Sequence, residues 1–202
     1  MELNYISFDV ETTGFGKHAC VVEIAFVRMD GGMIAERFSQ LLQPDIDMDD
    51  EGVMKALEIN GITQEMLLDQ PSFKDMEPAI TKWLAMGLPW LGHNLSFDIR
   101  MLDQEYGRLD KRMPACPGRG PLDTMLLDLH LNPGKLRRKL NLVADRWGVK
   151  PDDTLHRAMA DVNLTVAVFE KMRPRFTSLE QALANVESAA EQWDRIVSRY
   201  GR

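Results

Sequence analysis

Two acidic residues near the amino terminus have a spacing that suits metal binding. Asp9 and Glu11 are separated by one residue, and the two-residue period of a β-strand would direct both carboxylates to one face. Like charges held side by side repel each other unless a cation lies between them. Carboxylate oxygens are the ligands that Mg²⁺ and Mn²⁺ prefer. The pair is therefore a candidate metal site, while a lone Asp-x-Glu also suits a strand that enters a solvated loop.

Two further acidic residues and a histidine lie at predicted element boundaries. Asp98 follows the segment 92–97, where a buried strand turns into a helix and open α/β sheets hold ligands. Asp161 lies five residues after His156, a separation of ~140° within one helix. The two side chains can converge only if His156 precedes or begins that helix, which Thr154 as the N-cap would permit. Taken singly, Asp98 also suits a first helical turn, and His156 an ordinary structural histidine.

The elements that must position these residues follow from periodicity and punctuation. Runs rich in β-branched and aromatic residues predict an antiparallel meander, and a short apolar run predicts a buried parallel strand. The predicted strands are 3–10, 20–29, 34–42 and 88–92. Helical periodicity is found near 73–86, 95–107, 122–131, 136–147, 156–172 and 177–200. Together they predict an α/β fold with a mixed central β-sheet flanked by helices.

Composition indicates one globular domain. The chain has 202 residues with 24 Lys or Arg and 31 Asp or Glu, so its formal net charge is -7. These proportions exclude collagen-like, disordered and disulfide-scaffold proteins, and the negative charge argues against nonspecific binding to phosphates. We expect no signal peptide and no membrane segment. Cys20 and Cys116 lie outside any metal pattern and are expected to be reduced thiols in a cytoplasmic protein.

Three motifs occur together and in a fixed order. They are Phe-Asp-Val-Glu-Thr-Thr-Gly at 8–14, His-Asn-x-x-Phe-Asp at 93–98 and His-x-x-x-x-Asp at 156–161. This set resembles the DnaQ-like DEDDh 3′-to-5′ exonucleases, a branch of the ribonuclease H-like fold, and most of all the polymerase III epsilon-type proofreading exonucleases. The resemblance covers about residues 3–172. It implies an exonuclease domain over 1–174 and a C-terminal helix over 175–202.

The resemblance also implies the chemistry. Asp9 would bridge two divalent ions, Mg²⁺ or Mn²⁺, with Glu11, Asp98 and Asp161 completing the site and His156 acting as general base. The expected reaction is hydrolysis at the 3′ end of single-stranded nucleic acid, DNA in preference to RNA, releasing nucleoside 5′-monophosphates. The alternatives are an RNA-trimming exoribonuclease, an endonuclease, and a noncatalytic module that binds nucleic acid or a polymerase.

A pocket for the terminal nucleotide follows from the same resemblance. A ring at position 15 would stack on a base for ~1 to 3 kcal/mol, unless it is an ordinary packed loop aromatic. Position 60 departs from the family pattern, in which proofreading relatives tend to have His. The expected pocket residues are Thr12, Thr13, Gly14, Phe15, Ile59, Asn60, His93 and Phe97.

Charge is unevenly distributed along the chain. A basic run at the start of the predicted helix 136–147 would guide a strand into the acidic site, or else form a solvated helix face. This run consists of Lys135, Arg137, Arg138 and Lys139. An acidic run accounts for most of the negative excess and consists of Asp45, Asp47, Asp49, Asp50 and Glu51.

The last predicted helix carries an apolar seam. Ser178 with Gln181 three residues later predicts a capping box. Apolar residues then recur at steps of four and three, the spacing of a coiled coil. The seam would pack on a second copy, on a polymerase partner, or on the protein's own domain. Its members are Leu179, Leu183, Val186, Ala190, Trp193, Val197 and Tyr200.

Overall fold

A mixed five-stranded sheet forms the centre of the molecule. The computed structural model describes residues 3–135, 137–150 and 157–200, with the side chains of 199 and 200 excepted. The sheet order is β3-β2-β1-β4-β5, with β1 antiparallel to β2 and β2 to β3, while β4 is parallel to β1 and β5. The predicted mixed sheet and its meander are therefore confirmed. The strands are β1 (Tyr5–Thr12), β2 (Val21–Asp30), β3 (Met33–Leu41), β4 (Trp90–Gly92) and β5 (Leu122–Asp123).

Helices cover both faces of this sheet. Alternate residues of β1 face opposite sides, so Ile6 and Phe8 pack with α3 and α4, while Tyr5 packs with α7. Asp9 and Glu11 share the parity of Tyr5 and lie on the α7 face. The helices are α1 (Glu51–Ile59), α2 (Gln64–Leu67), α3 (Phe73–Leu84), α4 (Ser96–Arg108), α5 (Thr124–Leu131), α6 (Leu140–Arg146), α7 (Ala158–Met172) and α8 (Leu179–Tyr200).

Two predicted helices begin later than expected. The predicted helix 122–131 starts with strand β5, because Leu122 and Asp123 pair with β4 before the Asp123 side chain caps α5. The predicted helix 136–147 starts at Leu140. Arg138 is turned inward, is 5% exposed and pairs with Asp128. The prediction that all four cations of the basic run lie together on a helix surface is therefore wrong.

Two helices between β3 and α3 were not predicted. Asp50 accepts hydrogen bonds from the backbone N–H groups of Gly52 and Val53 and so caps α1. Thr63 caps α2 in the same way. The acidic run 45–51 thus ends in a helix N-terminus, and its Asp50 has a local structural role.

The first half of α8 packs on the domain itself. Ala182, Leu183 and Val186 are buried in the core that α5 and α7 share, and Ala189 is buried as well. Half of the predicted capping box is confirmed, because Ser178 Oγ accepts from the Gln181 N–H at 3.2 Å. The Gln181 side chain accepts from the Thr177 N–H at 2.6 Å. Within the described ranges, we find no helix that is both long enough and apolar enough to span a membrane.

Candidate metal and nucleic-acid site

Three carboxylates converge at the carboxyl end of β1. Asp9 and Glu11 lie on the face of β1 that packs against α7, and Asp161 lies in the first turn of α7. One carboxylate oxygen from each residue lies within 4.8 Å of the other two. Three hard anionic oxygens at this spacing are a donor set that fits Mg²⁺ or Mn²⁺.

Asp98 approaches the same place from the other side of β1. It lies in the first turn of α4, is 3% exposed, and its Oδ1 accepts a hydrogen bond of 3.0 Å from the Val10 N–H. Val10 stands between Asp9 and Glu11 in the strand, so this bond fixes α4 against the metal-binding segment. Among the described residues, Asp98 does not join the three acids at the 4.8 Å spacing.

Burial and mutual repulsion change the protonation of these acids. Burial, with Asp98 as the next cause, raises the pKa of Asp9 well above its usual value. Burial and the nearby Asp161 raise the pKa of Glu11 to about 8, and burial raises the pKa of Asp98 to about 8. A bound cation would reverse this penalty, because it favours the charged carboxylates.

A fifth carboxylate beside the site was not predicted from the sequence. Glu23 lies directly opposite Glu11 in the β1–β2 ladder and is 2% exposed. Both of its oxygens accept from the Arg157 guanidinium, at 2.9 and 3.0 Å, and one also accepts from the Ala158 N–H at 3.1 Å. The available signal was a lone acid among the apolar residues 21–27. Glu23 therefore ties β2 to the start of α7.

The predicted general base lies outside the described residues. His156 precedes Arg157 in the sequence, and its role as a base stays a prediction. Thr154, expected to cap the helix, also lies outside the described residues.

The loop after β1 forms one wall of an open cleft. Thr13 holds the loop closed, because its N–H donates to the Cys20 carbonyl and its Oγ1 accepts from the Cys20 N–H, both at 2.9 Å. Gly14 has a φ of 149°, which a side chain would strain. Phe15 is 82% exposed. Thr13, Gly14, Phe15 and Ile59 all line this cleft of about 730 Å³.

The remaining predicted pocket residues have different positions. Phe97 on α4 contacts the Phe15 ring at a centroid distance of 5.7 Å. Thr12 is buried, and its Oγ1 donates to the Gly14 carbonyl at 2.7 Å. Asn60 is also buried, and its Nδ2 donates to the Thr12 carbonyl at 3.1 Å. Thr12 and Asn60 thus shape the loop from behind.

His93 contacts the segment that precedes α6. Its Nδ1 lies 2.9 Å from the Thr124 hydroxyl and its Nε2 lies 2.7 Å from the Arg138 carbonyl. Both ring nitrogens are engaged within the protein, so His93 helps to position the 137–139 segment. Its contact with the substrate stays a prediction.

Comparison with known proteins gives consistent results. The chain matches the RNase_T family, described as exonucleases, over residues 6–169. It resembles exonuclease X in complex with 5′-overhanging duplex DNA, with a TM-score of 0.68 and 26% identity over 90% of this chain and 99% of that one. An E. coli exonuclease I complex with single-stranded DNA gives a TM-score of 0.70 at 19% identity, over 87% of this chain and 41% of that one. The nuclease domain of 3′hExo, a DEDDh family member bound to rAMP, gives 0.68 at 15% identity over 86% and 93%.

Curated relatives by sequence include two bacterial polymerases. The PolC-type DNA polymerase III of Clostridium perfringens is 29% identical over 195 residues, or 91% of this chain. That of Staphylococcus aureus is 29% identical over 172 residues, or 85% of this chain. The chain spans only 13% and 11% of the length of these two relatives.

Proposed function

Because this chain belongs to the RNase_T exonuclease family, as a DnaQ-like DEDDh 3′-to-5′ exonuclease with a ribonuclease H-like fold, we propose that it shortens single-stranded DNA from the 3′ end. The observation that carries this proposal is the convergence of Asp9, Glu11 and Asp161 at the end of β1. The loop that follows this strand lines a cleft and carries the exposed Phe15 ring. The carboxylates would act at the scissile phosphate, and Phe15 would stack on a base near the 3′ end. The products would be nucleoside 5′-monophosphates.

The carboxylates suit a site for two divalent ions, Mg²⁺ or Mn²⁺. Asp9 would be shared between them, with Glu11, Asp98 and Asp161 as the other ligands. When bound, such ions stabilise charge on the attacking and leaving oxygens of a displacement at phosphorus. His156 would accept the proton of the attacking water, a task suited to a side chain whose unperturbed pKa is about 6.5.

DNA is favoured over RNA by two observations. The solved relative at 26% identity is a complex with duplex DNA that has a 5′ overhang, and the curated relatives by sequence are DNA polymerases. A polymerase partner, or a second copy, would bind through α8. Free thiols at Cys20 and Cys116 support a cytoplasmic location.

A time course on 5′-labelled strands tests the activity. Single-stranded DNA and RNA of one sequence are incubated with Mg²⁺, Mn²⁺ or EDTA, with Asp9→Asn as the control. We expect a metal-dependent ladder that shortens from the 3′ end, is faster on DNA and is absent in the variant. Cleavage of circular single strands would instead support an endonuclease. Equal binding to ends with and without EDTA, and no ladder, would support a noncatalytic module.

A pair of variants separates the base from the metal ligands. His156→Ala should lose most turnover while its Mn²⁺ affinity, measured by calorimetry, stays close to wild type. Asp9→Asn should lose both, because it removes the shared ligand. The wild-type kcat should fall at acid pH as His156 takes up a proton. Full activity in His156→Ala would remove this residue from the mechanism.

A further inference from the structure

The segment between α5 and α6 is held by a buried ion-pair network. Asp128 on α5 is fully buried and pairs with both Arg138, at 2.5 Å, and Arg146. It also accepts from Asn132 Nδ2 and Trp147 Nε1, each at 3.0 Å. Arg138 Nη2 donates in turn to the Asn132 carbonyl at 2.9 Å. This network fixes the path of the chain at residues 137–139.

The residues on either side of Arg138 are exposed. The Lys139 backbone is extended, with φ -58° and ψ 145°, and neighbouring side chains of an extended chain point to opposite sides. Arg138 points inward, whereas Arg137 and Lys139 are exposed to solvent. Arg138 and Arg146 share the single negative charge of Asp128. The network therefore has no negative charge left to neutralise the exposed cations beside it. We call the exposed pair, Arg137 and Lys139, the basic rail.

The basic rail lies at the same edge of the sheet as the carboxylates. The Arg138 carbonyl is 2.7 Å from His93 Nε2, and His93 directly follows the carboxyl end of β4. Asp123 at the end of β5 accepts from the Asn94 and Leu95 N–H groups, which precede α4. Because β1, β4 and β5 run parallel, their carboxyl ends meet at one edge, where Asp9 and Glu11 lie.

We propose that the basic rail binds the sugar-phosphate backbone of a single strand upstream of its 3′ end. This inference rests on the proposed function and adds to it a second contact surface for the substrate. The chain carries a net charge of -7, and the acidic site itself repels phosphates until cations occupy it. Two exposed cations at the same edge of the sheet as the carboxylates supply local attraction that does not depend on base identity. A very short substrate does not reach them.

Paired charge reversals test this proposal. R137E/K139E reverses the basic rail, and R37E/K74E makes the same change in charge at two exposed cations on β3 and α3. The readout is kcat/KM on a strand of about 20 nucleotides divided by kcat/KM on a trinucleotide. We expect this ratio to fall by about tenfold at low salt in R137E/K139E, while R37E/K74E keeps the wild-type ratio. An unchanged ratio, or equal losses in both variants, would overturn the proposal.

A binding measurement keeps the proposal testable if no hydrolysis is observed. Fluorescence anisotropy of a labelled strand of about 20 nucleotides is followed against salt concentration in an Asp9→Asn background, which separates binding from turnover. Losing two phosphate contacts should reduce the slope of log affinity against log salt by about 1.4. An equal slope in R137E/K139E and in the protein that keeps both cations would refute the proposal, whether or not the protein is a nuclease.

Discussion

Asp9, Glu11 and Asp161 repel one another because burial removes the water that would screen their charges. The consequence is visible at Glu11, whose pKa rises from 4.5 to about 8 through burial, Asp161 and Glu23. A carboxyl with a raised pKa binds more protons in the folded state than in the unfolded state. Its contribution to stability is therefore greatest at low pH and is lost as the pH rises from about 4.5 to about 8.

We expect the free energy of unfolding of the metal-free protein to decrease between about pH 5 and pH 8. Divalent cations should reverse the trend, because protons and metal compete for the same oxygens and the metal binds better at high pH. Urea unfolding in EDTA and in Mn²⁺ at several pH values measures both curves. Glu11→Gln, which cannot ionise, is the control and should make the EDTA curve shallower, while the raised pKa values of Asp9 and Asp98 keep part of the slope. Parallel curves for wild type and Glu11→Gln would show that repulsion at this site does not limit stability.

Local signals made these acids candidates, and the resemblance of the three ordered motifs to the DEDDh exonucleases joined them into one predicted site. The strand period places Asp9 with Glu11, and Asp98 and Asp161 each lie in a first helical turn. Glu23 was not predicted, because its partner Arg157 is 134 residues away in the chain. Contacts of that kind depend on how elements pack, which periodicity does not reveal.

At the scale of elements, a residue on a distant strand fixes the start of α7. Arg157 at the N-cap position makes no side-chain cap hydrogen bond. Glu23 on β2 accepts from the Ala158 N–H instead, so a distant strand caps the helix and holds Arg157 at the same time. Asp161 lies one turn further on. The ion pair between Glu23 and Arg157, which we call the clamp, therefore sets where the Asp161 carboxylate lies relative to β1.

Arg157→Ala should destabilise the protein and weaken its metal site. The variant leaves the buried Glu23 carboxylate without its ionic partner, at a cost of about 2–3 kcal/mol. It also frees the first turn of α7, so Mn²⁺ affinity should fall. Urea unfolding and calorimetric titration measure the two effects. The matched control is Arg119→Ala, which breaks the exposed pair with Glu187 and should cost at most about 1 kcal/mol. Equal losses in the two variants would contradict the clamp.

Sequence periodicity did not predict α1, α2 or the position at which α6 begins. Segments α1 and α2 are short, and their caps at Asp50 and Thr63 lie in a stretch of acidic and polar residues that resembles a loop. The start of α6 is set by the buried pair of Arg138 with Asp128. The local sequence does not distinguish the buried Arg138 from the exposed basic residues on either side of it. Only the tertiary contact separates an internal anchor from an exposed cation.

For the whole molecule, the two halves of α8 differ. The first half buries Ala182, Leu183, Val186 and Ala189 against the domain. In the second half, Trp193 and Val197 continue the apolar seam but are only partly buried. The seam spacing did not distinguish internal packing from a partner contact, because both bury one face of a helix. The structure assigns the first half to the domain core, and the second half is the part with room for a partner.

Two truncations divide these roles. Removal of residues 177–202 should make the protein aggregate, because each Leu or Val lost from the core removes roughly 1.5–3 kcal/mol from a total of about 5–15 kcal/mol. Removal of residues 191–202 retains the buried half, so the domain should unfold at nearly the wild-type temperature. The mass measured by light scattering then shows whether the partner is a second copy of the chain. A wild-type dimer that becomes a monomer on removal of 191–202 would assign the second half to a second copy. Equal masses would exclude this and leave a polymerase as the proposed partner, whereas aggregation of the shorter truncation would place the whole helix in the core.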